Sequence, residues 1–134
     1  MKKDIDFSPV TGVELVVAQN KISEEDIQWD VYLINRNLIE LDTVMITSKG
    51  YGTINGIKKQ TSLLRHMLGK VEEQSFAKIE PIQPELFSLN NEYWVSYYIL
   101  DQIFDKKFLF VPESITDTNL KYIPELDLMG VRHA

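Results

Sequence analysis

The sequence predicts an all-β protein: a single seven-stranded antiparallel Ig-like β-sandwich with an irregular C-terminal tail over 112–134. Three observations carry this reading. Apolar residues cluster in short runs rich in β-branched and aromatic side chains, separated by turn-forming residues, which is the pattern of strands. The runs recur about every 10 to 15 residues with no long amphipathic helix between them, and parallel pairing would need crossovers of a dozen residues or more. The length, 134 residues, suits one domain over 1–134, able to bury roughly two thirds of the surface the unfolded chain exposes.

The first run, VELVVAQ (13–19), sets Val13, Leu15 and Val17 on one face. After the polar KISEED comes WDVYLI (29–34), with Trp29, Val31 and Leu33 facing the same way. A turn at NRN leads to LDTVMITS (41–48), where Val44 and Ile46 point inward and the chain runs into a glycine-rich loop. TSLLRHML (61–68) admits two readings. Leu63, Leu64, Met67 and Leu68 have helical spacing, with Thr61 or Ser62 to cap the start and Gly69 the end. A strand is favoured, because an eight-residue helix is marginal alone and GKVEEQ leads directly into SFAKIEPI (75–82) as a hairpin would.

PELFSLNNE, with Pro84 and an Asn pair, reads as a helical turn or a loop crossing between sheets. EYWVSYYIL (92–100) carries rings on both faces: Trp94, Ser96 and Tyr98 on one, Tyr93, Val95 and Tyr97 on the other. Burial on both faces, or exposure of one face to a partner, would account for so many rings; central-strand packing is favoured, with a hint of an interface. KKFLFV (106–111) completes the seven. The tail contains Pro124 and Gly130, shows no sustained period, and is expected to pack through Leu120, Ile123 and Leu126. Alternation gives a core of Val13, Leu15, Val17, Trp29, Val31, Leu33, Val44, Ile46, Ala77, Ile79, Val95, Phe108 and Phe110.

An apolar fraction of 44% and a charged fraction of 25% are those of an ordinary globular chain. No window approaches the ~18 apolar residues of a membrane-spanning helix, and the opening MKKDIDFSPV lacks an apolar signal core. There is no cysteine, so disulfides and thiolate chemistry are excluded and a cytoplasmic location is expected.

The segment SKGYGTINGIKK (48–59) raises the question of a phosphate-binding loop. Gly50, Gly52 and Gly56 give G-x-G-x-x-x-G, one residue too long for a dinucleotide fingerprint, and neither the spacing nor the hydroxyl of a P-loop is met. The segment reads as a chain reversal in which Gly52 and Asn55-Gly56 supply positive φ.

The net charge of −6 argues against a dedicated nucleic-acid binder. Yet 43–71 holds no acidic residue, while Lys49, Lys58, Lys59, Arg65 and Lys70 all fall there. These five form the candidate binding face, for an acidic partner or RNA; the alternative is that they are solvated lysines and arginine that keep strand edges apart.

Catalytic constellations are absent from the sequence. His66 and His133 are the two imidazoles and have no metal-ligand spacing. No G-x-S-x-G elbow marks a serine, and Glu24-Glu25-Asp26 and Glu72-Glu73 lie in polar connections. No enzyme activity, cofactor or metal is expected.

The succession DVYLINRNLIELDTVMITSKGYG, TSLLRHMLGKVEEQSFAKIEPI and KKFLFVPESI resembles a family of short uncharacterised bacterial proteins, some carrying the name phenylalanyl-tRNA synthetase alpha subunit. The F-R-x-E-like and G-x-G-x-x-R-like motifs of a class II synthetase are not present, so the resemblance implies no synthetase active site. A strand ending in Asn followed by LxxVxIxSxG is also similar to Ig-like appendage domains that bind peptides, which implies binding by analogy of fold. The expected function is that of a non-enzymatic protein-interaction module with an unknown protein partner and no membrane. The alternative is a translation-associated or RNA-binding accessory protein using the basic face.

Overall fold

Two hydrophobic stretches in tandem build the first sheet. β1 (Val13–Lys21) and β2 (Ile27–Asn35) pair antiparallel along their whole length, Val13 opposite Asn35 through Lys21 opposite Ile27. Leu15-Val16-Val17-Ala18 and Val31-Tyr32-Leu33-Ile34 are buried on both faces, which is why they read as continuous apolar runs rather than strict alternation. This computed structural model describes residues 10–133. The reading of the opening MKKDIDFSPV as no signal segment therefore lies almost entirely outside the described residues.

β3 (Leu41–Ile54), β4 (Ile57–Gln60), β5 (Leu64–Val71), β6 (Ser75–Pro81), β7 (Asn90–Ile99), β8 (Gln102–Phe110), β9 (Lys121–Ile123) and β10 (Leu128–His133) complete ten strands among the described residues. One sheet has the order β6-β2-β1-β10-β9. The other runs β4-β3-β7-β8, with β5 also paired to the long β3. Every pairing is antiparallel. Between the sheets lie Leu15, Val17, Val31, Leu33, Ile46, Tyr93, Val95, Phe108 and Phe110, with Trp29 and Ala77 packed against them. All thirteen core residues expected from alternation thus belong to this cluster or its margin.

Seven strands is corrected to ten, and the irregular tail to a structured one. All seven expected runs are strands, including β5, where helix and strand competed. Helical spacing fails there because Gly69, at φ +70, opens a bulge: Val44 pairs with Gly69 and Met45 with Met67, leaving Leu68 as the extra residue. β4 was hidden because IKKQ is fully exposed; the Asn55-Gly56 turn, with φ of 52° and 78°, folds it back on the end of β3. The tail holds a 3₁₀ turn at Asp117–Asn119 and the hairpin of β9 and β10.

β10 adds to the free edge of β1, where Gly130 lies opposite Ala18. A Cβ at Gly130 would come within 2.7 Å of Val16 Cγ1 and 2.9 Å of the Val17 carbonyl oxygen, so this approach needs glycine. Ile123, Leu126 and Leu128 then form a second cluster with Val16, Ala18, Tyr32 and Ile34 on the far face of the first sheet. Leu120 packs on the main core. The hairpin is fastened by Arg132, which bonds Glu14 and Glu125, while Arg36 reaches Glu14 at 3.4 Å and Glu125 at 3.6 Å. The Arg132 guanidinium holds the Glu125 carboxyl below its ordinary range.

PELFSLNNE crosses between the sheets as expected, through a 3₁₀ turn at Pro84–Ser88 that links β6 to β7. No helix among the described residues is long and apolar enough to cross a membrane.

Candidate functional site

The far side of the second sheet is left open by the fold. Antiparallel register sets side chains in rows across the strands. One row reads Arg65, Thr47, Trp94, Lys107 from β5 through β3 and β7 to β8. The adjacent row reads Met67, Met45, Ser96, Asp105, and on the other side Lys49 lies opposite Glu92. Trp94, Met45, Met67 and Tyr98 are exposed, at 46%, 43%, 72% and 39%. Their neighbours Tyr93, Val95 and Tyr97 turn inward and are buried. The aromatic strand thus splits into a core face and an open face: the two sets of residues are those its alternation gave, and the strand is central between β3 and β8, but it is not buried on both faces.

Polar contacts fix the aromatic rings of this face. The Trp94 Nε1–H donates to Asp105 Oδ1, and Lys107 Nζ stands 6.0 Å from the indole centroid. Lys49 and Lys107 approach Glu92 at 3.7 Å and 3.8 Å, and the Tyr51 hydroxyl donates to Glu92 at 3.3 Å. Glu92 and Asp105 are thus both engaged, while Asp42, exposed opposite Tyr98, accepts from the Thr43 N–H. Arg65, Lys58 and Lys59 have no ion-pair partner among the described residues.

The five basic residues proposed from sequence do not share one surface. Lys49 and Arg65 lie on the open face by register, and Lys58, opposite Thr53, extends it along β4. Lys59 alternates to the other side. Lys70 is at the far end of β5, paired with Glu40 at 3.5 Å. Lys107 joins the face and was missed because it lies 37 positions beyond Lys70 in sequence. Of the glycines, Gly56 makes the turn; Gly50 and Gly52 lie within β3, packed near Thr61 and Leu89.

A second polar site sits inside the sandwich edge. β6 carries a bulge: Leu33 pairs with Ala77 and Tyr32 with Lys78, but Val31 pairs with Glu80, so Ile79 is the extra residue. Strict alternation would turn Glu80 outward; the bulge re-aims it between the sheets. There Oε1 accepts a hydrogen bond from Ser48 Oγ at 2.8 Å and meets His66 Nε2 at 2.6 Å, and Oε2 accepts from the Tyr93 hydroxyl at 3.1 Å. One acid of the first sheet is therefore held by β3, β5 and β7 of the second. Burial, reinforced by the Glu80 charge, pushes the Tyr93 hydroxyl far above its ordinary pKa. Ser48 and His66 both turn to Glu80 through the same carboxylate oxygen, an arrangement in which the acid stands between hydroxyl and imidazole, unlike a nucleophilic triad.

His133 lies in β10 with its ring edge-on to Phe108 and Phe110, 5.4 and 5.5 Å away, so both imidazoles are built into the packing. Among the described residues no three His, Cys, Asp or Glu side chains gather as a metal site. Compared with family models, with curated proteins and with solved structures, the chain matches none.

Proposed function

We propose that the chain is a non-enzymatic protein-interaction module that docks an acidic protein surface on the open face of its second sheet. The observation that carries this is the row Arg65, Thr47, Trp94, Lys107, bordered by Met45 and Met67. Trp, Tyr, Met and Arg are the residues enriched at the centres of protein interfaces, and Trp and Arg are frequent hot spots. The charge balance supplies the partner's character. Glu92 and Asp105 are already engaged, while Arg65 and Lys58 are not, so the face offers positive charge although the whole chain is at −6.

The Ig-like reading of the sandwich belongs to this proposal. It is supported by the strand order: β1-β2-β6 corresponds to A-B-E of an immunoglobulin sheet, and β8-β7-β3 to G-F-C, with β4 and β5 on the C′ side. The β9–β10 hairpin is an addition beside A.

A role with RNA is the second reading, favoured by an aromatic ring placed between cations, the arrangement that stacks single strands. It is the weaker because two cations of the face, Lys49 and Lys107, are already paired with Glu92, leaving few to neutralise successive phosphates. Capture from the native cell separates the two. The wild-type chain should retain a defined protein that is lost with Trp94→Ser and with Arg65→Glu, kept with Met129→Ser on the other sheet, and indifferent to nuclease. Retention that ignores the first two substitutions refutes the docking face, and retention abolished by nuclease favours RNA.

A further inference from the structure

We infer that the cleft beside Glu80 is a binding site for an organic ammonium group on a short alkyl stem. The cleft, about 260 Å³, opens where the end of β6 and the 3₁₀ turn at Pro84–Ser88 meet β3 and β7. It is separate from the open face: Lys49 contributes to both, but its ammonium pairs with Glu92 on the outside. The volume is just under the roughly 300 Å³ at which drug-sized pockets begin, so it suits a ligand the size of a side chain.

The choice of ligand follows from which hydrogen-bonding capacity the wall leaves unused. Ser48 and Tyr93 each direct their one hydroxyl proton to Glu80. Both Asn91 Nδ2 protons have backbone acceptors, the carbonyls of Leu86 at 2.8 Å and Leu89 at 3.3 Å. The Thr61 hydroxyl donates to the Ser62 carbonyl. What these groups still present is oxygen, carboxylate, hydroxyl and amide lone pairs, while the Ser62 hydroxyl and the Gln83 amide elsewhere in the lining keep donors of their own. An ammonium group, three donors and no acceptor, complements the part of the lining around Glu80, where Ser48, Tyr93 and Asn91 have spent their donors.

Charge points the same way. Glu80 has a side chain only 13% exposed, and among the described residues the one cationisable group within ion-pair distance is His66, charged only when protonated. No Lys or Arg ammonium or guanidinium among the described residues reaches the carboxylate. Leu64, Ile82 and Leu86 supply the apolar wall for the stem. The ammonium can belong to a free amine or to a lysine of a partner protein.

The test is an amide-shift titration of the whole chain with n-butylammonium chloride, with 1-butanol as the neutral counterpart and Nα-acetyl-lysine N-methylamide as the protein-borne form. The expected result is saturable shifts at Gly50, Ser62, Glu80 and Asn91 with butylammonium, at least tenfold weaker with butanol, and lost in Glu80→Gln at equal ionic strength. Binding of the lysine amide as well assigns the ligand to a protein side chain; butylammonium alone assigns it to a free amine. Equal response to butanol, no response, or shifts spread over the acidic surface and unchanged in Glu80→Gln overturns the inference. If Glu80→Gln does not fold, the comparison of butylammonium with butanol on the wild type decides. Since neither Trp94 nor Arg65 lines the cleft, its failure leaves the docking face untouched, and the reverse holds.

Discussion

Replacing Glu80 by alanine removes the single acceptor that three strands of the second sheet share, and the size of the loss can be worked from who is left unpaired. Hydrogen bonds to a charged acceptor contribute about 1.5–3 kcal/mol each. They do not add here, because Ser48 lines a cleft open to water and the His66 side chain is partly exposed, so water can replace part of what each loses. Tyr93 touches the same cleft but is 2% exposed, so its hydroxyl is the most buried donor to lose its acceptor, at a cost of about 1–3 kcal/mol. Together with the weakened Ser48 and His66 contacts, the expected loss is about 3 kcal/mol. For 134 residues at about 2.1 cal/mol/K each, the unfolding entropy is about 0.28 kcal/mol/K. The shift in Tm is therefore about 10 °C.

The same reasoning fixes the sign of a coupling. Tyr93→Phe alone takes a donor from a buried carboxylate and should cost about 1–2 kcal/mol. In the Glu80→Ala background it removes a hydroxyl that already lacks its acceptor, and should cost nothing or stabilise. Urea denaturation of the four proteins in this cycle should give a coupling of at least ~1 kcal/mol. A coupling under ~0.5 kcal/mol, with Glu80→Ala costing less than ~1 kcal/mol, refutes the idea that Glu80 joins the sheets.

Tyr97 is 1% exposed and its hydroxyl has no hydrogen-bond partner among the described residues, so Tyr97→Phe should stabilise by roughly 1 kcal/mol in urea denaturation. Burial also pushes the Tyr97 hydroxyl up to about 12 from 10.0. The folded state then holds this proton more tightly, and stability present below pH 10 should fall as pH rises through about 12. Tyr93 acts in the same sense, so urea midpoints measured from pH 8 upward should decline less steeply in Tyr97→Phe without becoming flat. Gly130→Ala should cost about 1–3 kcal/mol by thermal unfolding, because the added carbon meets backbone of β1 at 2.9 Å and 3.2 Å. Trp94→Ser should change stability by no more than about 1 kcal/mol despite its effect on binding, since the ring lies on the open face.

Much of the sandwich was legible because alternation is a direct consequence of strand geometry. The residues expected inside at Leu15, Val31, Ile46 and Phe108 needed only the period of two and a decision about which face is apolar. The second cluster left a signal too: Leu15-Val16-Val17-Ala18 has no polar face, so something had to cover Val16 and Ala18. What covers them was not legible. β9 and β10 are strands because the free edge of β1 accepts them and Gly130 lets them approach, a tertiary cause with no local period.

Bulges explain the rest. Read by alternation, Ile79 points inward and Glu80 outward; the extra residue opposite Val31 and Tyr32 brings Glu80 in as well. The partners Ser48, His66 and Tyr93 lie on three separate strands, and only folding gathers them. The candidate basic face was half legible: an acid-free segment was visible, but strand direction splits Lys58 from Lys59, and the bond to Glu40 draws Lys70 away from the Trp94 row.

The most direct test of the docking face is in-cell photocrosslinking from a benzophenone side chain placed at Met67, 72% exposed on the open face, with Tyr122, 55% exposed on the other sheet, as the control position. A discrete protein adduct from position 67 that is missing from position 122 is the predicted result. The same adducts from both positions, or none from 67, contradicts the account.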